Sequence, residues 1–257
     1  MPKQEIPKIK IDKPVFQSAE TRLALHYHLA ARVEGENVFF SVEYGRWIDS
    51  LAPHFKEIVL IVHTTTSDKE TQYPIRAKNI VVIDLGEKPP FFLKRVLRYR
   101  HYQKLVLKEK HRWDIVGFRV PSPLAIYLYT VMRGFPVFFL FVGNMVNVTK
   151  ASNITILKKS VLLIYWLWDH WKLERISNRE LSIFNGRFLE EEFKKIRKQK
   201  IIFTSTIWKN EILSFSDCCN GKKVELLYVG RFSPEKGVVI AIEAARLLKN
   251  AGVECRL

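Results

Sequence analysis

The sequence has few cysteines, no long apolar run and no apolar leader. Its three cysteines are odd in number and two of them, Cys218 and Cys219, are adjacent, so they do not form a disulfide framework. This usage predicts a reducing, cytoplasmic compartment. The N-terminal stretch MPKQEIPKIKIDKP lacks the apolar core of a signal peptide, and no run approaches the roughly 18 apolar residues of a membrane span. We therefore expect a chain that does not cross a membrane.

Several common catalytic motifs are also absent. The sequence contains no D-x-D, no G-x-S-x-G elbow, no H-E-x-x-H and no P-loop. These absences argue against D-x-D metal-dependent sugar transfer, serine-elbow hydrolysis, zinc proteolysis and P-loop nucleotide hydrolysis. We predict neither a metal site nor a separate cofactor.

Negative charge is scarce relative to positive charge. Lys and Arg number 42 against 26 Asp and Glu, which gives a formal net charge of +16. Nucleic acid, an anionic membrane surface and phosphorylated substrates are the three partner classes that such a surplus suits, and a solvated basic surface is the alternative. No RNA-binding signature accompanies the charge, so we do not predict a nucleic-acid partner.

Short runs of apolar, β-branched residues recur along the chain, separated by stretches with helical spacing. The runs lie at 57–63, 79–85, 113–118, 136–142, 181–185 and 200–204. Such runs are typical of parallel strands covered on both faces. Helices are predicted at 21–32, 91–110, 121–132, 155–176 and 188–197, with His26 and His28 as structural residues on the first. This alternation predicts an α/β fold with a doubly wound, Rossmann-like parallel sheet.

The βα rhythm stops at 207–223 and then restarts, which predicts two domains. Residues 1–206 form the first, Rossmann-like domain in this interpretation, 207–223 a linker, and 224–257 the start of a second Rossmann-like domain. A βαβ opening of about 35 residues buries too little apolar surface to fold alone, so we expect the second domain to be incomplete.

The segment from residue 224, where the βα pattern resumes, contains a candidate anion site. A predicted strand at 224–229 leads into the turn at Gly230 and Arg231, and Ser233 and Pro234 suit the N-cap and first position of a helix. Lys236 follows within that first turn. Backbone N–H groups and two cations therefore converge, and phosphate is the anion that they fit best.

Two further sets of residues are candidates. Gly143 and Asn144 end one predicted strand, and Arg119 and Ser122 end another, at the sheet edge where α/β proteins bind ligands; the alternative for Gly143 is a plain turn with positive φ. The predicted helix 91–110 has one apolar face and otherwise basic ones, which suits anionic lipid headgroups as well as solvent. Its membrane-surface candidates are Lys94, Arg95, Arg98, Lys104 and Lys108.

The segment from residue 224 also resembles a known family. VGRFSPEKG at 229–237 is similar to the opening of the C-terminal domain of GT-B glycosyltransferases, specifically family GT4. FRVPS at 118–122 is similar to the R-x-P-S turn of polysaccharide-assembling members, FVGN at 141–144 resembles their cleft-facing strand and turn, and IFNGRFLEEEF at 183–193 resembles a further helix entry. The resemblance covers 114–257 by motif and the first hundred residues only by βα order.

The resemblance implies a sugar moved from a nucleotide-diphosphate donor to a glycan or lipid-linked acceptor, with retained anomeric configuration and no essential metal. It places Gly230, Arg231 and Lys236 on the donor diphosphate and makes 1–206 the acceptor side. The chain departs from the pattern in having no glycine-rich loop after its first strand, and an E-x7-E donor motif is expected beyond residue 257. The alternatives are another GT-B enzyme acting on sugar nucleotides, such as an epimerase, an inactive chain that binds a glycan, membrane or subunit, and a nucleic-acid-binding protein.

Overall fold

The computed structural model describes residues 20–202, 224–229 and 237–256. The strands in chain order are β1 Arg22–Glu34, β2 Asn37–Phe40, β3 Glu57–Thr64, β4 Tyr73–Pro74, β5 Ile80–Glu87, β6 Ile115–Val120, β7 Val137–Phe141, β8 Leu181–Asn185, β9 Gln199–Ile202, β10 Val224–Glu225 and β11 Cys255–Arg256. The α-helices are α1 Val42–Leu51, α2 Phe92–Leu97, α3 Tyr99–Lys108, α4 Ala125–Met132, α5 Met145–Ala151, α6 Ile156–Ser177, α7 Arg187–Glu192 and α8 Val238–Asn250.

Seven parallel strands form the main sheet in the order β5-β3-β1-β6-β7-β8-β9. The far end of β1 turns back into β2, which pairs with it antiparallel, and β4 pairs with β2. Every residue from Ile58 to His63 on β3 is buried, as a strand covered on both faces requires. The predicted α/β fold with a parallel, Rossmann-like sheet is confirmed.

Two apolar clusters cover the two faces of this sheet. One packs alternate strand residues such as Phe118 and Phe139 against Tyr102 of α3 and Leu128 of α4. The other packs the opposite residues of β1 and β3 against α1, with Ile48 fully buried. Successive side chains of each strand thus enter different clusters, which fixes the register of the sheet.

The first predicted helix, over 21–32, is wrong. The segment is the long strand β1, whose residues Leu23, Ala24 and Leu25 are all buried between β3 and β6. Leu and Ala favour helices in isolation, but pairing with two neighbours and burial on both faces outweigh that intrinsic preference.

The other differences concern helix boundaries. The basic helix predicted over 91–110 is two helices, since Arg98 with φ −92° and ψ 9° leaves the helical conformation between α2 and α3. A helix running on from Pro234 is also wrong, because Gly237 has a left-handed φ of 72° and α8 begins at Val238. In the part of the chain that the structure describes, no helix combines the length and apolarity that crossing a membrane requires.

The described residues divide into two compact units. One comprises residues 20–144 and 167–202 and holds the main sheet; the other comprises 145–166, 224–229 and 237–256. In the second unit β10 and β11 are parallel, with Val224 opposite Cys255, and α8 connects them as a βαβ element. The boundaries predicted at 1–206, 207–223 and 224–257 stay predictions, and the predicted linker lies outside the described residues.

Candidate functional site

The strand order identifies one edge of the main sheet as the place for a ligand. From β1 the chain proceeds to β3 and β5 on one side, and then returns to β6 on the other side and continues outward to β9. The crevice at the carboxyl ends of strands, where the order reverses, is where sheets of this kind bind ligands. The candidate site is therefore the carboxyl edge at β1 and β6, with β3 and β7 beside them.

A buried histidine and serine join the strands at this edge. Nδ1 of His26 on β1 donates a hydrogen bond to the Ile61 carbonyl of β3 at 2.8 Å. Nε2 is therefore the acceptor for the Ser122 hydroxyl, 2.8 Å away in the segment after β6, and the Ser122 oxygen accepts the Leu124 N–H at 3.4 Å. Both side chains are buried, and burial lowers the pKa of His26 to about 4. With its polar atoms satisfied, this pair fixes the edge in place and presents no free nucleophile.

Arg119 lies at the end of β6 among three aromatic rings. Its guanidinium carbon is 4.2 Å from the ring centre of Tyr27, 5.2 Å from that of Tyr44 and 5.8 Å from that of Trp47. Planar guanidinium groups stack on such rings, which limits their rotamers. Burial raises the pKa of Tyr27, an effect that the charge of Arg119 opposes. The ring cluster therefore holds one cation in a defined orientation at the candidate edge.

Further positive charge lies at the ends of β1, β3 and β5. His63 on β3 donates from Nδ1 to the Gly86 carbonyl at 3.1 Å. Burial, together with the smaller effect of the nearby cations Arg95 and Lys88, lowers the pKa of His63 to about 4. The pKa of His28 falls to about 3 for the same reasons, burial first. These histidines stay neutral at neutral pH while Arg95 and Lys88 give the edge a positive potential, which attracts anions.

The end of β7 lies beside the end of β6. A Cβ placed on Gly143 would lie 3.8 Å from Cδ of Pro121, whose peptide bond with Val120 is cis. Gly143 has no positive φ, so the alternative that explained it by a left-handed turn is wrong. The Asn144 side-chain amide donates to Oε2 of Glu192 on α7 at 2.6 Å, which orients it at the edge.

The structure thus brings four of the predicted residues to one edge: Arg119, Ser122, Gly143 and Asn144. Their predicted contact with an acceptor stays a prediction, and in the structure the Ser122 hydroxyl binds His26. Gly230, Arg231 and Lys236 lie outside the described residues. Of the basic-helix candidates, Lys94, Arg98, Lys104 and Lys108 are exposed and Arg95 is partly buried.

Sequence reasoning gave His26 and His28 a structural role but placed them on a helix, and it did not single out His63 or Lys88. The prediction of a helix over 21–32 obscured how His26 and His28 relate, because side chains two residues apart point in different directions on a helix but lie on one face of a strand. The available signal was the alternation in LHYHL, in which His26 and His28 are two residues apart and share one side of a strand. Lys88 carried no sequence signal beyond following a predicted strand by three residues.

No family model and no curated protein matches the chain. Among solved structures, that of LpCGTa in complex with UDP shows 13% identity and a TM-score of 0.45, over 84% of this chain and 61% of that one. That of Arabidopsis thaliana UGT89C1 complexed with UDP-L-rhamnose shows 11% identity and a TM-score of 0.40, over 90% of this chain and 63% of that one. The chain spans less than two thirds of the length of either protein. Scores this low assign it to no family.

Proposed function

We propose that the chain is part of a GT-B glycosyltransferase that moves a sugar from a nucleotide-diphosphate donor to a glycan or lipid-linked acceptor. The stretch VGRFSPEKG at 229–237, with its resemblance to family GT4, carries the proposal. Its flanks support it, because β10, α8 and the parallel β11 form a βαβ element in which the stretch occupies the position between first strand and helix.

The chemistry of the leaving group explains why these residues suit the reaction. As the bond from the sugar to the diphosphate breaks, negative charge grows on the terminal phosphate. Arg231 supplies a rigid fork of donors and Lys236 a point charge, and the N-terminus of α8 adds partial positive charge. Groups that bind the growing charge stabilise the transition state more than the ground state, which is what accelerates transfer.

The acceptor is proposed to bind at the carboxyl edge of the main sheet. Arg119, Gly143 and Asn144 lie together there, and the charges of Arg119, Arg95 and Lys88 all act on His28. Retention of anomeric configuration, independence from metal and a cytoplasmic location belong to the same proposal. Retention is tested by the anomeric proton couplings of the product in NMR, and metal independence by turnover in excess EDTA.

The first experiment measures binding of UDP, GDP and ADP to the chain by calorimetry. We expect one of them to bind, and Arg231→Ala and Lys236→Ala each to weaken that binding about tenfold through the loss of one charge-assisted contact. Arg246→Ala is the matched control, since Arg246 is an exposed cation of α8 that pairs with Glu243 at 2.6 Å. Equal losses in all three variants, or no binding by the unmodified chain, would contradict the proposal.

The second experiment measures transfer in the longer protein with the same substitutions. Arg231→Ala is expected to lower turnover about a hundredfold, the effect of removing one preorganised donor from a developing anion. Unchanged turnover in that variant would refute the role given to Arg231.

The exposed cations on and between α2 and α3 support an anionic membrane surface as a further partner. Lys94, Arg98, Lys104 and Lys108 are all exposed, and clusters of this kind bind anionic headgroups. Sedimentation with anionic vesicles is expected to exceed that with neutral vesicles. Equal binding to both would argue against this partner.

A further inference from the structure

A cavity of about 360 Å³ opens where the carboxyl end of β5 meets the helices α2 and α3. Its size falls in the range of about 300–1,000 Å³ that small-molecule sites occupy. We call it the β5 pocket, and its lining runs from Leu85 through Pro90 and includes residues of both helices. It belongs to the unit that holds the main sheet, whereas 229–237 follows a strand of the other unit.

The lining of the β5 pocket is strongly cationic. Lys88, Lys94 and Arg98 contribute three positive charges, and His101 adds a fourth nitrogen-bearing side chain. Glu87 is the one acidic residue among the lining residues. A concave surface with such an excess of one charge concentrates ligands of the opposite charge.

Hydrogen bonds fix the wall formed by the segment after β5. Gly86 has a positive φ of 86°, and its N–H donates to Oδ1 of Asp84 at 2.6 Å. The Lys88 N–H donates to the carbonyl of Thr64 at 3.0 Å, and Nδ1 of His63 donates to the Gly86 carbonyl. Two prolines, Pro89 and Pro90, then continue the wall with restricted φ angles. The wall is thus formed before any ligand arrives, which reduces the entropy that binding must overcome.

We propose that the β5 pocket binds the phosphate or diphosphate group of a phosphorylated substrate. Arg98 offers paired N–H donors that fit two oxygens of one phosphate, while Lys88 and Lys94 act as point charges. A phosphate dianion would also stabilise the charged form of Lys88, because burial lowers the pKa of that amine, an effect that Glu70 opposes and Arg95 increases. Identifying the substrate with the sugar acceptor rests on the proposed function, whereas phosphate binding by the pocket does not.

The phosphate has two chemical sources, a soluble sugar phosphate or a lipid phosphate. Residues on and beside α2 bear on the choice, since Phe91, Leu93 and Leu97 are large apolar side chains that remain 67%, 46% and 80% exposed. They lie within one or three residues of the lining cations Lys94 and Arg98. Apolar side chains next to cations are what a lipid phosphate would meet at a membrane interface.

The test uses the full chain carrying Arg231→Ala and Lys236→Ala, so that the proposed donor site does not contribute. Calorimetry at physiological ionic strength measures inorganic pyrophosphate, representing the soluble source, and farnesyl diphosphate, representing the lipid source. Adding Lys94→Ala and Arg98→Ala is expected to weaken binding of both probes at least about tenfold. Glu87→Gln is expected to tighten it, because the substitution removes the one lining carboxylate.

The control adds Arg100→Ala and Lys110→Ala instead. It removes one arginine and one lysine from exposed positions of the same segment that do not line the pocket. An equal loss of affinity in the control would overturn the proposal, because binding would then reflect overall charge. Absence of pyrophosphate and farnesyl diphosphate binding would overturn it as well.

The two arms also separate the sources and the two proposals. Farnesyl diphosphate binding about tenfold tighter than pyrophosphate supports a lipid phosphate, and equal affinities support a soluble one. If nucleotide affinity depends on Arg231 but pyrophosphate affinity is unchanged by Lys94→Ala and Arg98→Ala, the pocket proposal alone is refuted. If the pocket binds pyrophosphate and no nucleotide binds the unmodified chain, the proposed function fails alone.

Discussion

The buried carboxylate of Asp169 on α6 predicts how the stability of the folded chain depends on pH. Asp169 is 3% exposed, and burial raises the pKa of its carboxyl from 3.8 to about 7. Its Oδ1 has no hydrogen-bond partner among the residues that the structure describes. The charged form of Asp169 is therefore far less stable in the folded chain than in the unfolded chain, where water solvates it.

The sign and size of the effect follow from linkage. The folded-state pKa is above the unfolded one, so at pH values between them the unfolded chain loses its proton first and folding is disfavoured. The contribution of Asp169 to the free energy of unfolding is greatest below about pH 4 and is lost as the pH rises to about 7. Each unit of pKa difference is worth about 1.4 kcal/mol, so about three units amount to about 4 kcal/mol. Asp169→Asn has a similar shape without the charge and should recover most of that loss.

The assay is urea unfolding of the unmodified chain and of Asp169→Asn across the pH range 4 to 8. The free energy of unfolding of the variant minus that of the unmodified chain should rise by about 1.4 kcal/mol per pH unit up to about pH 7 and then level off. Comparing the two chains at each pH cancels the contributions of all other groups. A difference that stays constant from pH 4 to 8 would refute the reasoning, because it would mean that Asp169 ionises normally in the folded state.

Three other perturbations test the sheet and its edge. Gly117→Ala should cost about 1–3 kcal/mol in urea unfolding, since the new Cβ would meet the Phe138 ring and lie 2.6 Å from Cδ2 of Leu25; an unchanged midpoint would contradict that packing. Ser122→Ala should cost about 1–3 kcal/mol because Nε2 of His26 loses its donor, whereas loss of transfer with full stability would point to a chemical role instead. In an Asp169→Asn background, stability should fall as the pH drops from 6.5 towards 4, because the buried histidines of β1 and β3 take up protons only on unfolding; a flat profile would mean that they are protonated in the fold.

The sheet could be predicted from the sequence because most of its buried strands are short apolar runs that are recognisable without the structure. Strand β8 has the predicted bounds, and β3, β5 and β7 agree with prediction to within two residues at each end, since their apolar, β-branched residues admit few other structures. The exception is β1, where RLALHYHLAARVE contains leucines and alanines with helical preference. Only its pairing with β3 and β6 makes it a strand, and no local pattern contains that information.

The candidate site was predictable to the extent that it depends on strand ends. Arg119 and Gly143 follow predicted strands, and parallel strands bring such positions to one edge, as the structure does. The contribution of the loop after β5 was not predictable, because Lys88 reaches the edge through a glycine with positive φ and through hydrogen bonds to Thr64 and Asp84. These are tertiary contacts of residues that are ordinary in sequence.

The break at Arg98 changes what the basic segment can do. On a continuous helix over 91–110 the cations would occupy every face except the apolar one, which suits headgroups and solvent alike. In the structure the helix is interrupted at Arg98. Lys94 and Arg98 line the β5 pocket, whereas Lys104 and Lys108 are exposed and do not line it. The cations of this segment are thus divided between the lining of the β5 pocket and the exposed surface. That division favours phosphorylated ligands as the reason for the positive surplus, since solvation alone gives no reason to gather cations in a cavity.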